Sequence, residues 1–170
     1  MVNSYTRKPG LGTLAVYVVL AMALAALLNG AIVLSEAAEW TESLKKPAFA
    51  LSGLQIGLVW ELLFACMAIA FWLIRRTPPL PKRRAASTAL AAMFVAILAF
   101  PFYAILPQSL LNSFVGTVAS AFIAWVVVAV VSFNSRPAGM VLLPLPLWLS
   151  FASAIAYHVQ RLNPPSGLLG

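Results

Sequence analysis

Residues 110–133 read LLNSFVGTVASAFIAWVVVAVVSF, a stretch without a single charged side chain. An α-helix rises 1.5 Å per residue, so about 20 apolar residues cross the roughly 30 Å hydrocarbon core of a bilayer. Four similar runs accompany this one, at residues 11–34, 53–74, 85–106 and 138–160. Of the five, only the run at 53–74 carries a charged residue, Glu61. The sequence therefore predicts an all-α integral membrane protein, a bundle of five transmembrane helices.

The composition excludes an ordinary soluble domain. The chain is 62% hydrophobic and 9% charged, whereas soluble domains carry about 25% charged residues. Five spans leave no room for a second folded unit, so we expect one domain over residues 1–170. The first run is too long for the apolar core of a signal peptide, and residues 28–31 make a poor cleavage site. We therefore expect it to be the first helix.

The net charge of +7 is concentrated at the ends of the runs. Eight basic residues belong to the N-terminal tail, the second loop and the fourth loop, and three to the first loop and the C-terminal tail. The positive-inside rule then predicts a cytoplasmic N-terminus and a C-terminus on the opposite side. Three prolines predict that the basic second loop, residues 75–84, is extended and outside both neighbouring helices. Anionic lipid explains such a loop, so we predict the bilayer as a partner and no nucleic acid.

The first loop, residues 35–52, is longer than a turn requires and holds three of the four acidic residues of the chain. Residues 35–42 are predicted to form a short interfacial helix, with Trp40 at the depth of the lipid headgroups. A loop of this length can fold over the mouth of the bundle as a lid.

Glu61 is the only ionisable side chain near the middle of a predicted span. A charged carboxylate there costs on the order of 3 kcal/mol, so the group is protonated, paired or in contact with a polar cavity. Its role is either a proton, cation or ligand-orienting site, or a neutral acid hydrogen-bonded to a neighbouring helix. The sequence leaves both roles open.

Nothing in the sequence points to catalysis. Cys66 and His158 are the only cysteine and histidine, so no set of metal ligands and no nucleophile–base triad can be assembled. We predict that the protein is not an enzyme, has no metal site and requires no cofactor. Pro101, Pro144 and Pro146 fall inside predicted helices, and kinks at prolines can open a cavity between helices.

Aromatic residues and prolines recur in three places at a characteristic spacing. The first group is Trp40, Leu44, Lys46, Pro47, Phe49 and Trp60. The second is Pro101, Phe102 and Tyr103. The third is Pro144, Trp148, Arg161, Leu162 and Asn163. In these residues, and in the order of its five spans, the chain resembles the TspO/MBR family of tryptophan-rich sensory and translocator proteins.

The chain departs from that family at several positions that are usually proline, polar or aromatic. The residues found there are Leu51, Ser52, Ala92, Ala96, Ala99, Leu145 and Ala156. The comparison implies that much of the polar lining of the family's ligand pocket is absent, which makes the chain a divergent member.

The resemblance implies a membrane receptor or transporter, often a homodimer, that binds a flat hydrophobic ligand under the first loop. A porphyrin or other tetrapyrrole, or a sterol-like molecule, is the expected ligand. Aromatic side chains supply flat faces for such a molecule. The predicted ligand-binding residues are Trp40, Phe49, Trp60, Glu61, Phe102, Tyr103 and Trp148. The alternative function is a non-catalytic accessory subunit of a larger membrane protein complex.

Overall fold

The apolar runs form helices throughout the computed structural model, which describes residues 8–78 and 80–164. The helices are α1 (Leu11–Val33), α2 (Glu36–Ser43), α3 (Gly53–Arg75), α4 (Pro81–Phe100), α5 (Leu110–Asn134), α6 (Arg136–Leu142) and α7 (Pro144–Leu162). A π-helical turn, Pro101–Ile105, extends α4. Within these described residues, five helical segments are long and apolar enough to cross a membrane, with α6 and α7 counting as one. The predicted all-α bundle of five membrane-spanning helices is confirmed.

The spans expose apolar side chains outwards, as contact with lipid requires. Leu27 of α1 is 72% exposed and Phe122 of α5 is 71% exposed. The interior is formed where α5 packs against α4, α6 and α7 and where α3 packs against α1, α4 and α6. Large side chains at its centre, such as Phe64, Met93 and Leu145, are almost fully buried.

Serine side chains cap the N-termini of three of the helices. The Ser52 hydroxyl accepts a hydrogen bond from the Gln55 N–H, and the Gln55 side chain accepts one from the Ser52 N–H, which makes a capping box at the start of α3. Ser109 and Ser135 cap α5 and α6 in the simpler way, each accepting from the N–H three residues on. These bonds satisfy backbone donors that the first turn of a helix leaves free.

The second loop is shorter than predicted. Residues 81–84 were expected to be extended, but α4 begins at Pro81. Proline is well suited to the first helical position because its missing N–H has no partner there and its φ angle is already helical. Lys82, Arg83 and Arg84 therefore lie in the first turn of α4, and the Arg83 guanidinium donates to the Thr77 carbonyl over 3.1 Å.

Prolines interrupt the third and fifth spans, as predicted. After Pro101 the backbone widens, and the Leu106 N–H donates to the Pro101 carbonyl over 2.8 Å. The last span is divided between α6 and α7 at Leu143, where the Leu143 N–H donates to the Met140 carbonyl in a tighter turn. Pro144 and Pro146 follow at once, and neither has an N–H for the helical ladder.

The order of the spans and the placement of the basic residues predict on which side of the membrane each loop lies. Three spans separate the basic loop before α4 from the C-terminus, so the two should lie on opposite sides, and the charge asymmetry predicts that the loop is cytoplasmic. A green fluorescent protein fused in the loop at 77–80 should fluoresce, and alkaline phosphatase fused to the C-terminus should be active. A phosphatase inserted at 45–50 serves as the control and should behave like the C-terminal fusion. Cytoplasmic reporters at both the loop and the C-terminus would contradict the arrangement.

Candidate functional site

A cavity of about 260 Å³ lies inside the bundle, bounded by all five spans and by α2. Its walls are mainly aliphatic and aromatic, from positions such as Ile56 and Phe64 of α3 and Ile155 and Val159 of α7. These pairs are spaced eight and four residues apart, so each pair lies on one face of its helix. The polar side chains of the lining, apart from tryptophan, are Asn29, Thr41, Ser113, Thr117 and Ser120.

Three tryptophans meet at this cavity. Trp40 comes from α2, Trp60 from α3 and Trp148 from α7. All three were singled out in the sequence as candidate ligand-binding residues, and folding brings them together although Trp40 and Trp148 are far apart along the chain. Trp60 also packs edge-to-face on Phe64, with ring centroids 6.3 Å apart. The cavity therefore offers several flat aromatic surfaces.

The other aromatic candidates lie outside the cavity lining. Phe49 is 45% exposed, and its ring packs on Phe151 and on His158, whose ring centroid is 5.3 Å away. Phe102 is 64% exposed, and Tyr103 packs against Phe100. From the segment around Pro101, it is instead Phe100, Pro101 and Ile105 that line the cavity. These residues follow Ile97, which also lines the cavity, by three, four and eight positions, so all of them lie on one face of the helix.

Glu61 is half-buried on α3 and is not part of the cavity lining. One turn earlier, Gly57 lies against α1, where the Asn29 side chain donates to the Gly57 carbonyl over 3.5 Å. Glu61 therefore lies toward the α1 side of α3, next to Trp60 but on a different face. Within residues 8–78 and 80–164, no ion pair or hydrogen bond involves its carboxylate.

Three of the four hydroxyl groups that line the cavity donate to the carbonyl four residues earlier, and for the fourth, Ser120, no hydrogen bond is found among the described residues. Ser113 donates to the Ser109 carbonyl over 2.8 Å, Thr117 to the Ser113 carbonyl over 2.6 Å, and Thr41 to the Ala37 carbonyl over 2.6 Å. In contrast, the buried indole Nε1 of Trp148 has no hydrogen-bond partner among the described residues. The lining thus behaves as an apolar surface with very few groups free to donate.

Residues 36–52, which we call the lid, cover one end of the cavity. Trp40, Thr41 and Leu44 of the lid face the cavity. Asn163, just after α7, binds the lid at both backbone groups of Lys45: its Oδ1 accepts from the Lys45 N–H over 3.0 Å and its Nδ2 donates to the Lys45 carbonyl over 2.9 Å. Asn163 belongs to the third group of residues that carry the family resemblance, but only the structure identifies its partner.

The departures from the family pattern are not equally important for the cavity. Ala156 lines it directly, one turn beyond Ala152. Ala92, Ala96 and Ala99, which were expected to remove polar lining, are not among the lining residues, and Ala92 and Ala99 are exposed on α4. Among these positions, the apolar character of the cavity is therefore due to Ala156 rather than to the alanines of α4.

Comparison with known proteins agrees with this architecture. A sequence model of the TspO/MBR family matches residues 15–162, which extend from α1 to the end of α7. The chain belongs to the TspO/MBR family. It is also similar to the uncharacterized membrane protein YtaB of Bacillus subtilis (strain 168), at 28% identity over 125 residues, covering 74% of this chain and 81% of that protein. The resemblance inferred from the tryptophan and proline pattern is confirmed.

The lid attachment can be tested with Asn163→Ala in this TspO/MBR protein. The change removes both hydrogen bonds to Lys45, each of which contributes about 0.5–1.5 kcal/mol. Amide hydrogen exchange at residues 44–52 should become faster by about tenfold, while exchange in α3 and α5 stays unchanged. Gln160→Ala, at a half-buried position on the last turn of α7, is the matched control. Unchanged exchange in the lid of the Asn163 variant would show that other contacts hold it.

Proposed function

We propose that this protein is a TspO-like membrane receptor or transporter that binds a hydrophobic, planar ligand, tetrapyrrole or sterol-like, in the cavity under the lid. The observation that carries the proposal is the meeting of Trp40, Trp60 and Trp148 in one apolar cavity. Aromatic rings pack face-on or edge-on against other flat rings, and such contacts contribute about 0.5–1.5 kcal/mol each beyond the area they bury.

Selection of the proposed ligand by a cavity within the bilayer depends on the shape of the ligand more than on its hydrophobicity. A ligand that arrives from the bilayer leaves an apolar solvent for an apolar cavity, so the hydrophobic effect favours neither location strongly. Close packing against the tryptophans is what distinguishes the cavity from lipid. A flat, rigid molecule satisfies that requirement better than a flexible chain, because it loses little conformational entropy on binding.

The size of the cavity indicates how a large ligand would enter. About 260 Å³ is just below the roughly 300–1,000 Å³ that encloses most drug-sized ligands. A tetrapyrrole therefore needs the lid to move outwards, and the lid is attached by contacts that can be exchanged for water, chiefly the Asn163 bonds to Lys45. Smaller ring systems fit without that movement.

Family membership and the lining both support binding rather than catalysis. The TspO/MBR family is generally one of receptors and transporters, not of enzymes. None of the residues that line the cavity is Asp, Glu, His, Cys, Lys or Arg. General acid–base chemistry relies chiefly on such side chains, placed within hydrogen-bond reach of the reacting atoms.

Porphyrin binding to the purified protein is the direct test of the proposal. A porphyrin should quench tryptophan fluorescence saturably, and Trp60→Leu or Trp148→Leu should weaken binding about fivefold or more, since a lost aromatic contact costs on the order of 1 kcal/mol. Trp125→Phe is the control, because Trp125 is 43% exposed on α5 and lies outside the cavity lining. Unsaturable partitioning that is equal in all variants would refute a specific site.

Glu61 provides a second test, because its carboxylate lies outside the cavity lining. We expect Glu61→Gln and Glu61→Leu to bind porphyrin with the affinity of the unmodified protein, measured by the same titration. Binding that survives in the Gln variant but is lost in the Leu variant would instead show that a neutral acid orients the ligand. If transport is lost in the Gln variant while binding is kept, Glu61 cycles a proton.

An accessory subunit is the second candidate function, and α4 supplies the observation that favours it. Ala85, Ala92 and Ala99 are spaced seven residues apart and are exposed on one face of α4. Small residues in such a row let another helix approach closely, whether from a second copy or from a different protein. Purification in mild detergent distinguishes the two functions. A homodimer that carries pigment supports the receptor, and stoichiometric co-purification with other subunits supports the accessory role.

A further inference from the structure

A second apolar depression lies on the outside of the bundle, between α1 and α4 and over α3. We call it the outer groove; it encloses about 370 Å³, and its main residues are Tyr17, Leu20, Met67, Phe71, Ala91 and Val95. No residue lines both the outer groove and the central cavity. Phe64 of the cavity and Phe94 of the groove pack together with ring centroids 5.0 Å apart, and this pair separates the two spaces.

The outer groove is a slot that is open to the bilayer. Its floor is buried, since Met67 is only 2% exposed, whereas Leu20 and Val95 on its two walls are 64% and 63% exposed. On α1 the slot extends from Tyr17 to Leu24, a distance of about 10 Å along the helix. Its shape suits a single extended hydrocarbon chain that lies along the helices.

One end of the outer groove approaches the basic loop. Arg75 follows Phe71 by four residues on α3, and Arg84 precedes Ala91 by seven on α4, so each arginine lies on the groove side of its helix. Both are exposed, and within the described ranges neither forms an ion pair.

The charge at this end is not balanced by acidic residues. The chain has only four acidic residues, three in the first loop and Glu61 inside α3. Arg75, Arg76, Lys82, Arg83 and Arg84 all lie at the opposite, loop-bearing end of α3 and α4. The outer groove therefore combines an apolar slot with a positive end, the arrangement that matches an anionic phospholipid.

We propose that the outer groove binds an anionic phospholipid, with one acyl chain along α1, α3 and α4 and the headgroup phosphate at Arg75 and Arg84. This site is independent of the ligand cavity and of the function proposed for it. Arginine donates two parallel hydrogen bonds to phosphate oxygens, which gives the headgroup a defined position as well as charge neutralisation.

A second copy of the chain fits the outer groove less well than a lipid does. Two copies in one membrane share the same orientation, and a twofold axis then places the same surface of each copy in contact. Pairing through the outer groove would bring the two basic ends together, and like charges in a poorly screened membrane interface repel. An anionic lipid neutralises the same charges instead.

Competitive lipid binding tests the proposal on the full-length protein. Detergent-solubilised protein is incubated with equal amounts of phosphatidylglycerol and phosphatidylcholine that carry the same acyl chains, and retained lipid is counted by native mass spectrometry. We expect phosphatidylglycerol to be preferred. Replacement of both Arg75 and Arg84 by Gln should reduce that preference by about fivefold for each charge removed. Replacement of both Lys45 and Arg161 by Gln removes equal charge at the other end and should leave it unchanged.

The apolar part of the site is tested by Ala91→Phe, which fills the slot and should abolish lipid retention while porphyrin binding stays the same. Ala129→Phe, at an exposed position on α5, is the matched control. Equal retention of both lipids overturns the proposal, and so does retention that is insensitive to Ala91→Phe.

A Leu20→Cys variant with Cys66→Ser tests for a second copy. Efficient disulfide formation between copies in the membrane would show that the groove is a protein interface and would also overturn the proposal.

Discussion

The structure depends on one constraint: in hydrocarbon, every backbone donor and acceptor needs a partner from the protein itself. Helices satisfy it automatically, so each interruption has to be compensated locally. Beyond Pro101, for example, the Leu106 N–H donates to the Pro101 carbonyl over 2.8 Å and so gives both groups a partner. The interruption at Pro101 and the one at Pro144 and Pro146 both lie beside the central cavity. Pro101 lines it, and Trp148, which also lines it, follows Pro146 by two residues. The central cavity thus lies where the helices depart from regular geometry.

The same solvent explains why small residues occupy the helix contacts. Lipid is as apolar as leucine, so the helices are held together by close packing rather than by the hydrophobic effect. Ala70, Ala124 and Ala138 are completely buried at such contacts. Gly139 is the tightest case, because a Cβ atom there would lie 3.1 Å from the Cα of Ser132. Glycine at this position allows α6 to fold back closely on α5.

Local pattern predicted much of the fold and part of the candidate site. The five spans and the lid helix follow from apolar run length and from composition, and the TspO/MBR spacing identified the tryptophans of the cavity. The family pattern pointed to Phe102 and Tyr103, whereas Phe100, Pro101 and Ile105 line the cavity together with Ile97. These four residues follow the ordinary helical period, so the face was readable from the sequence once Ile97 was known to lie inside. Another feature was beyond reach. The bond from Asn163 to Lys45 joins residues 118 positions apart, and one sequence alone contains no record of such a pairing.

In the proposed ligand site, affinity and access would be controlled by different groups. The lining of the cavity is mainly aromatic and aliphatic and includes no ionisable residue, so the strength of the proposed binding would depend on ring packing. The lid is attached from outside by Asn163, and Phe49 adds a contact with His158. A ligand that fits under the closed lid would leave these contacts intact, whereas a larger ligand would have to break them. A ligand small enough to leave the lid closed would therefore bind with an affinity independent of Asn163 but exchange at a rate set by it. A larger ligand would have both its affinity and its rate linked to the lid, because its binding has to break the same bonds.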